Sequence, residues 1–482
     1  MIDPREVAFA LKGTVVNPKP DRSIEILPDW LVAVDELGFI SHFEPSGSAR
    51  SVELLQATEH GHIALVEMGL DEWILPGFVD THIHAPQYPN AGVALDKPLM
   101  EWLEHYTFKA ESRIDRDPVG YGKQVYERLV ERLKENGTTS ASVFGTISAQ
   151  ANLVLAKCFL AGGVRGQIGK VSMDRNSPSY YVETTRGAIN AAREFVDAVW
   201  AMTSDLAEHE RIVEPVVTPR FVPTCSVELL AGLVDLAKAR GVRIQSHMAE
   251  SQGEVDLCKA MLGGKTDVEL FSELGVLSPR SLMAHCTHSL ATDLSLLAST
   301  GTSVAHCPLS NVYFSPERQL PLREAWRAGV KVGLGSDISG GYRVGLEDGM
   351  RWAVGVSKLR QGAAIASEGS DSVDSTQKDG ANACRPDLSI TWRESLYLAT
   401  LGGAQALGLA SSPRCVGSFG VGHAFDAQRI QVGGRGSAVE WFAEDERGES
   451  VGIEDKVERW WCNGGVADRR QVWVQGREVY SA

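Results

Sequence analysis

Short apolar runs separated by stretches of helical periodicity dominate residues 78–335. Eight such runs stand at 78–84, 138–144, 164–171, 213–219, 242–247, 281–285, 302–306 and 330–335. Each reads as a short buried strand. Between them lie amphipathic patterns, as over Val119–Asn136 and Ser226–Arg240. Gly137, Gly241 and Gly329 stand where helices should end, which suits a glycine C-cap followed by a strand. Strands alternating with helices in this way predict an α/β chain built as a (β/α)8 TIM-like barrel.

The two ends of the chain read differently. Val7–Leu11, Trp30–Val34 and Ile63–Val66 are strand candidates separated by Gly, Pro, Asn and Asp. Ala427–Val432 and Gln471–Val479 repeat that pattern near the C-terminus. The expectation is a small β-sandwich domain assembled from residues 1–74 and 416–482, flanking a barrel over 75–415. Residues 361–388 break the alternation. They are rich in Ser, Gly, Ala and Asp, and read as a mobile surface insertion.

Composition narrows the function. The chain has 482 residues, 43% of them hydrophobic, enough for one barrel of about 250 residues and a smaller domain. A net charge of −15 repels phosphate backbones, so no nucleic-acid partner is expected. No apolar run approaches the roughly 18 residues of a membrane span, so no membrane partner is expected either. Met1–Glu6 holds no basic region followed by an apolar stretch, so no secretion signal is expected. Eight scattered cysteines, none in Cys-x-x-Cys spacing, suit the reduced thiols of a cytoplasmic protein.

Five of the predicted strands end in residues that bind metals. His82 and His84 close the first, His247 the fifth, His285 the sixth and His306 the seventh, while Asp337 follows the eighth. Residues two apart on a strand share a face, so His82 and His84 project together. Three histidines and a carboxylate would hold one divalent ion, zinc by ligand type, and leave a position for water. The metal lowers the pKa of that water. Asp337 can touch the metal and take the water's proton; His285 can ligate the metal or hydrogen-bond the resulting hydroxide, and both options stay open. Glu250, three residues past His247, can shuttle protons between water and leaving group.

Taken singly, each feature has an ordinary explanation. A lone His-x-His marks polar residues near a turn, and a lone Glu250 complements a helix dipole. His306 is left outside the site as a packing or supporting residue, and His288 is placed on the surface. Asp80 shares the face of His82 and can support the ligands. The ordinary explanations weaken when four strand-end ligands occur in barrel order with an acid beside one of them.

The segment Pro76–His84 resembles the opening motif of the amidohydrolase superfamily, and His247, His285 and Asp337 match its later strand-end positions. Two-metal members of that superfamily use a carboxylated lysine from the fourth strand. Here Glu214–Arg220 offers none, so one zinc per chain is expected. Finer segments resemble the guanine deaminase family: His84–Gly92, Thr218–Ser226, Gln245–Glu250, Ala305–Asn311, Gly333–Tyr342 and Ala399–Leu409. The resemblance runs from about residue 70 onward and departs mainly at the 361–388 insertion.

The resemblance implies that His82, His84, His247 and Asp337 bind the zinc, with His247 also bordering the substrate. It implies that His285 contacts the hydroxide and Glu250 moves protons. Gln87 and Arg220 would hydrogen-bond the purine edge with Phe221 against the ring, as their donors, acceptor and flat face allow. It further implies a homodimer that takes free guanine to xanthine and ammonia. Other ring amidohydrolases, and a non-catalytic scaffold, are the alternatives. Nucleic-acid-editing deaminases use His-x-Glu with Pro-Cys-x-x-Cys, which is absent.

Overall fold

The computed structural model describes residues 7–59, 63–370, 387–411, 413–442 and 451–482. Eight strands form the central sheet: Phe78–His84, Thr138–Phe144, Arg165–Ser172, Val213–Pro219, Arg243–Met248, Ser281–His285, Ser303–His306 and Val332–Leu334. They follow one another in chain order, each pair parallel. The first and eighth meet through Asp337 N–H donating to His82 O and His84 N–H donating to Ile338 O, both at 2.8 Å. These bonds draw the sheet round into a barrel. The sequence pattern locates each strand to within about two residues.

Helices cover the outside of the barrel, as parallel strands require. Val227–Arg240 shows how the local signals work. Ser226 Oγ accepts the Leu229 N–H at 3.1 Å. Gly241 then ends the helix in the left-handed conformation, φ 63°, which a Cβ would disfavour. The buried face, with Leu229, Leu230, Leu233 and Val234, joins the main apolar core.

Both ends of the chain enter a second, mixed sheet of eight strands. Val7–Pro18 pairs with Ile24–Asp35, and Glu72–Pro76 pairs with Ala427–Gln431. Phe9 stacks on Trp473 at 6.5 Å although two strands lie between theirs in the sheet order. Strands about 4.8 Å apart in a flat sheet could not bring those rings so close, so the sheet folds over on itself. Buried ion pairs fasten it to the barrel: Arg165 with Asp426 and Arg469 with Glu347, each at 2.7 Å.

Three expectations need correction. The terminal segments are not purely strand and turn, since Ala49–Glu59 and Ile453–Asn463 are helices. Of the presumed insertion at 361–388, residues 361–370 instead continue the helix Leu346–Ser370 that begins after the eighth strand. Residues 371–386 lie outside the described residues. His288 is not on the surface but 8% exposed, with Nε2 3.0 Å from Ser315 Oγ. Among the described residues, the seven cysteines are all unpaired. No helix among them is long and apolar enough to cross a membrane.

Candidate active site

The C-terminal ends of the barrel strands bring five predicted residues together at one rim. His82 and His84, on one face of the first strand, have ring centroids 4.9 Å apart. The His247 ring stacks on His84, with the two Nε2 atoms 3.0 Å apart. The His285 ring lies 5.3 Å from His82 and 5.4 Å from His247. Asp337 places Oδ1 3.2 Å from His82 Nε2 and 3.6 Å from His84 Nε2, and Oδ2 3.9 Å from His285 Nε2. Gly335 makes this approach possible, since a Cβ there would stand 2.8 Å from His82 Cβ.

The donor set fits a divalent cation. His82, His84 and His247 bring one nitrogen each within 4.8 Å of one another; His82, His285 and Asp337 do the same with their ligand atoms. His82 Nε2 and His285 Nε2 are buried without a hydrogen-bond partner. Such orphaned atoms are rare unless something else satisfies them. Burial, reinforced by the neighbouring rings and Arg220, pushes the pKa values of His82, His84 and His247 well down. The rings are therefore neutral and offer lone pairs.

Surrounding groups set the tautomers. His247 Nδ1 lies 2.7 Å from Arg220 O and His285 Nδ1 2.9 Å from Asn311 Oδ1. Each carbonyl oxygen accepts, so each Nδ1 carries the proton and each Nε2 faces the site with its lone pair. Among the described residues Asp80 makes no hydrogen bond to a histidine ring. It accepts from the backbone N–H groups of His82 at 3.1 Å and Ser336 at 3.0 Å, tying the first strand to the segment that carries Asp337. His285, Asp337 and Ala249 adopt left-handed backbone angles, φ 74°, 49° and 49°. With Cys286 beside His285 at φ 53°, these non-glycine residues at one rim mark strain held at a functional site.

Glu250 stands beside this cluster, with Oε1 3.6 Å from His285 Nε2. Two buried carboxylates hold its turn: Glu254 accepts the Glu250 N–H at 2.8 Å and Asp267 the Ala249 N–H at 2.7 Å. Burial, then the nearby Asp337, raises the Glu250 pKa well above the usual carboxylate range. Burial thus favours the protonated form of this carboxyl group, which suits a proton donor.

Gln87, Arg220 and Phe221 face the same small cavity as His84, His247, Glu250, His285 and Asp337. Leu99, Trp102 and Phe314 complete an apolar wall. Every predicted site residue is thus in one place. His306 stays apart: its carbonyl accepts the Gly335 N–H at 2.8 Å, and its ring belongs to none of the ligand groups among the described residues. A larger open groove of about 750 Å3, between Leu290, Arg318 and Trp352, contains none of these residues.

Several functional neighbours escape sequence reasoning. Phe144, at the end of the second strand, packs its ring 4.7 Å from both His82 and His247. Asn311, Glu254 and Asp267 act only through contacts that folding creates. Glu111 is different, because its sequence does hold a signal. It falls with Phe108 and Ser112 on the buried side of the helix Phe108–Arg116, where a charge is out of place unless paired.

The amidohydrolase family model matches residues 73–478. The chain is 34% identical to the guanine deaminase of Dictyostelium discoideum over 487 residues, 99% of this chain and 100% of the relative. It is also 34% identical to the guanine deaminase of Homo sapiens, over 98% of this chain and 97% of the relative. The guanine deaminase of C. acetobutylicum, solved with bound guanine in its active site, superposes with a TM-score of 0.80 at 28% identity, covering 98% of this chain and 100% of that one. The chain belongs to the amidohydrolase family, within its guanine deaminase branch.

Proposed function

We propose that this chain hydrolyses guanine to xanthine and ammonia. One observation carries the reading: His84, His247, His285, Asp337 and the buried Glu250 meet Gln87 and Arg220, the pair suited to read a base, across one small cavity. The full-length similarity to guanine deaminases agrees with it.

His82, His84, His247 and Asp337 would hold one zinc per chain. When bound, the ion supplies an electrophilic centre that makes water nucleophilic at neutral pH. The residues do the rest. Arg220 and Gln87 hold the polar edge of the base, and Phe221 and Trp102 close over its apolar face. His285, with its proton fixed on Nδ1, accepts a hydrogen bond from the attacking water through Nε2. Asp337 takes one proton from that water. Glu250 gives its proton to the ring nitrogen beside C2. A C2–O bond forms and the C2–N bond to the exocyclic amine breaks. The proton on Asp337 leaves with the amine as ammonia, and the second water proton restores Glu250.

The buried free thiols suit a cytoplasmic setting. A homodimer rests on the family resemblance and is checked by sedimentation. The test of the reaction is its stoichiometry. Zinc-loaded protein should yield one xanthine and one ammonia per guanine consumed, and chelation should stop both. Loss of guanine without xanthine would overturn the reading.

A further inference from the structure

We propose that Glu111 is a positioning residue that fixes which atoms of Gln87 and Arg220 face the base, and so sets the specificity of the edge. The inference rests on the reading of the cavity as a guanine site. Glu111 is 0% exposed and does not line the cavity itself. Its Oε2 accepts from Arg220 Nη1 at 2.8 Å and its Oε1 from Arg220 Nη2 at 3.1 Å. The same Oε1 accepts from Gln87 Nε2 at 2.8 Å. One carboxylate thus holds both base-reading side chains.

The chemical consequence follows from donor and acceptor types. An ionised carboxylate only accepts, so Gln87 must turn its NH2 group toward Glu111. Its amide oxygen is thereby turned the other way, toward Ser339, where it accepts the N–H at 3.5 Å and the Oγ–H at 3.3 Å, long contacts that a ligand N–H can displace. Arg220 gives two of its five N–H donors to Glu111 in the fork arrangement and keeps three. The edge then offers an acceptor from Gln87 and donors from Arg220. That arrangement matches a ring N–H next to a carbonyl, as guanine presents at N1 and O6. With a neutral amide at 111, Gln87 could flip and the edge would lose its polarity. The charge of the buried guanidinium also needs this carboxylate, so a purely structural role must be separated from a positioning one.

Two unreactive bases make that separation. Hypoxanthine has the N1–H and O6 of guanine, purine has neither, and both lack the 2-amino group. Their dissociation constants are measured by calorimetry on the wild type, Glu111→Gln and Glu111→Asp. The wild type should prefer hypoxanthine by roughly tenfold or more, as paired against unpaired buried donors require. Glu111→Gln should bring the two constants within about twofold, and Glu111→Asp should restore part of the preference. For guanine turnover, Glu111→Gln should raise KM more than it lowers kcat. Equal weakening of both bases in Glu111→Gln would show a structural role only and overturn the proposal. So would an unchanged preference, or a wild type that deaminates guanine without preferring hypoxanthine. Absence of guanine turnover in the wild type would instead remove the proposed function itself.

Discussion

Replacing Arg220 with Met removes the guanidinium while keeping an unbranched apolar side chain in its place. The backbone carbonyl of Arg220, which accepts from His247 Nδ1 at 2.7 Å, is retained. The ligand cluster should therefore still load zinc. The lost side chain would otherwise give the base two charge-assisted hydrogen bonds, each worth about 1.5–3 kcal/mol. Together they amount to about 3–6 kcal/mol, so kcat/KM for guanine should fall by roughly 10²- to 10⁴-fold. The variant also leaves Glu111 buried without its cation, which destabilises by about 3–5 kcal/mol. Arg220→Met combined with Glu111→Leu should recover most of that stability and none of the activity. The assays are steady-state deamination, zinc content by mass spectrometry, and denaturant unfolding. Guanine turnover within about tenfold of wild type would refute the edge-reading role, because a residue holding the substrate cannot be removed so cheaply. Loss of zinc from the single variant would refute the claim that only its carbonyl serves the metal cluster.

Other perturbations probe the remaining parts. Glu250→Gln keeps the shape but cannot carry the proton, so kcat should fall roughly 10²- to 10⁴-fold with zinc content unchanged. Asn311→Leu removes the acceptor that fixes the His285 tautomer, and activity should drop about 10- to 100-fold without loss of fold, read by kinetics and circular dichroism. Asp115 is pushed up to about 7, mainly by burial, so its ionisation in the folded state opposes folding. Its contribution is intact below about pH 4 and is lost as pH rises towards 7. Asp115→Asn should therefore melt higher than wild type at pH 8, with the gain vanishing near pH 4. Chelator should abolish turnover and lower the melting temperature of the wild type, and added zinc should restore both.

The barrel was legible because short apolar runs alternate with helical stretches, and the first, fifth, sixth and eighth of them end at or just before a predicted ligand. His82, His84, His247, His285 and Asp337 announce themselves by closing such runs, and the barrel rule places strand ends together. Gln87, Arg220 and Phe221 needed the family resemblance, since an arginine or phenylalanine after a strand has no chemistry of its own. Asn311 and Asp267 could not be read, because their roles are contacts between residues distant in the chain. The helix Ile453–Asn463 could have been read. Val457 and Trp460 are its buried residues, a three-residue spacing that strand punctuation around it obscured. Ala49–Glu59 buries only Ser51 and Leu54, too little to mark a face in the sequence. Over residues 361–367 the helix Leu346–Ser370 carries Gly362, Ala363, Ala366 and Ser367 exposed, so composition argued against a helix that its first half, packed on the barrel, extends.

The central claim is that this cavity selects guanine for deamination. The most direct measurement is ammonia release from guanine, adenine, cytosine and guanosine by the zinc-loaded protein. The account predicts rapid release from guanine, with xanthine appearing, and little from the other three. Equal or faster release from adenine or cytosine would contradict the edge formed by Gln87, Arg220 and Glu111, and release from none of the four would contradict the proposed reaction.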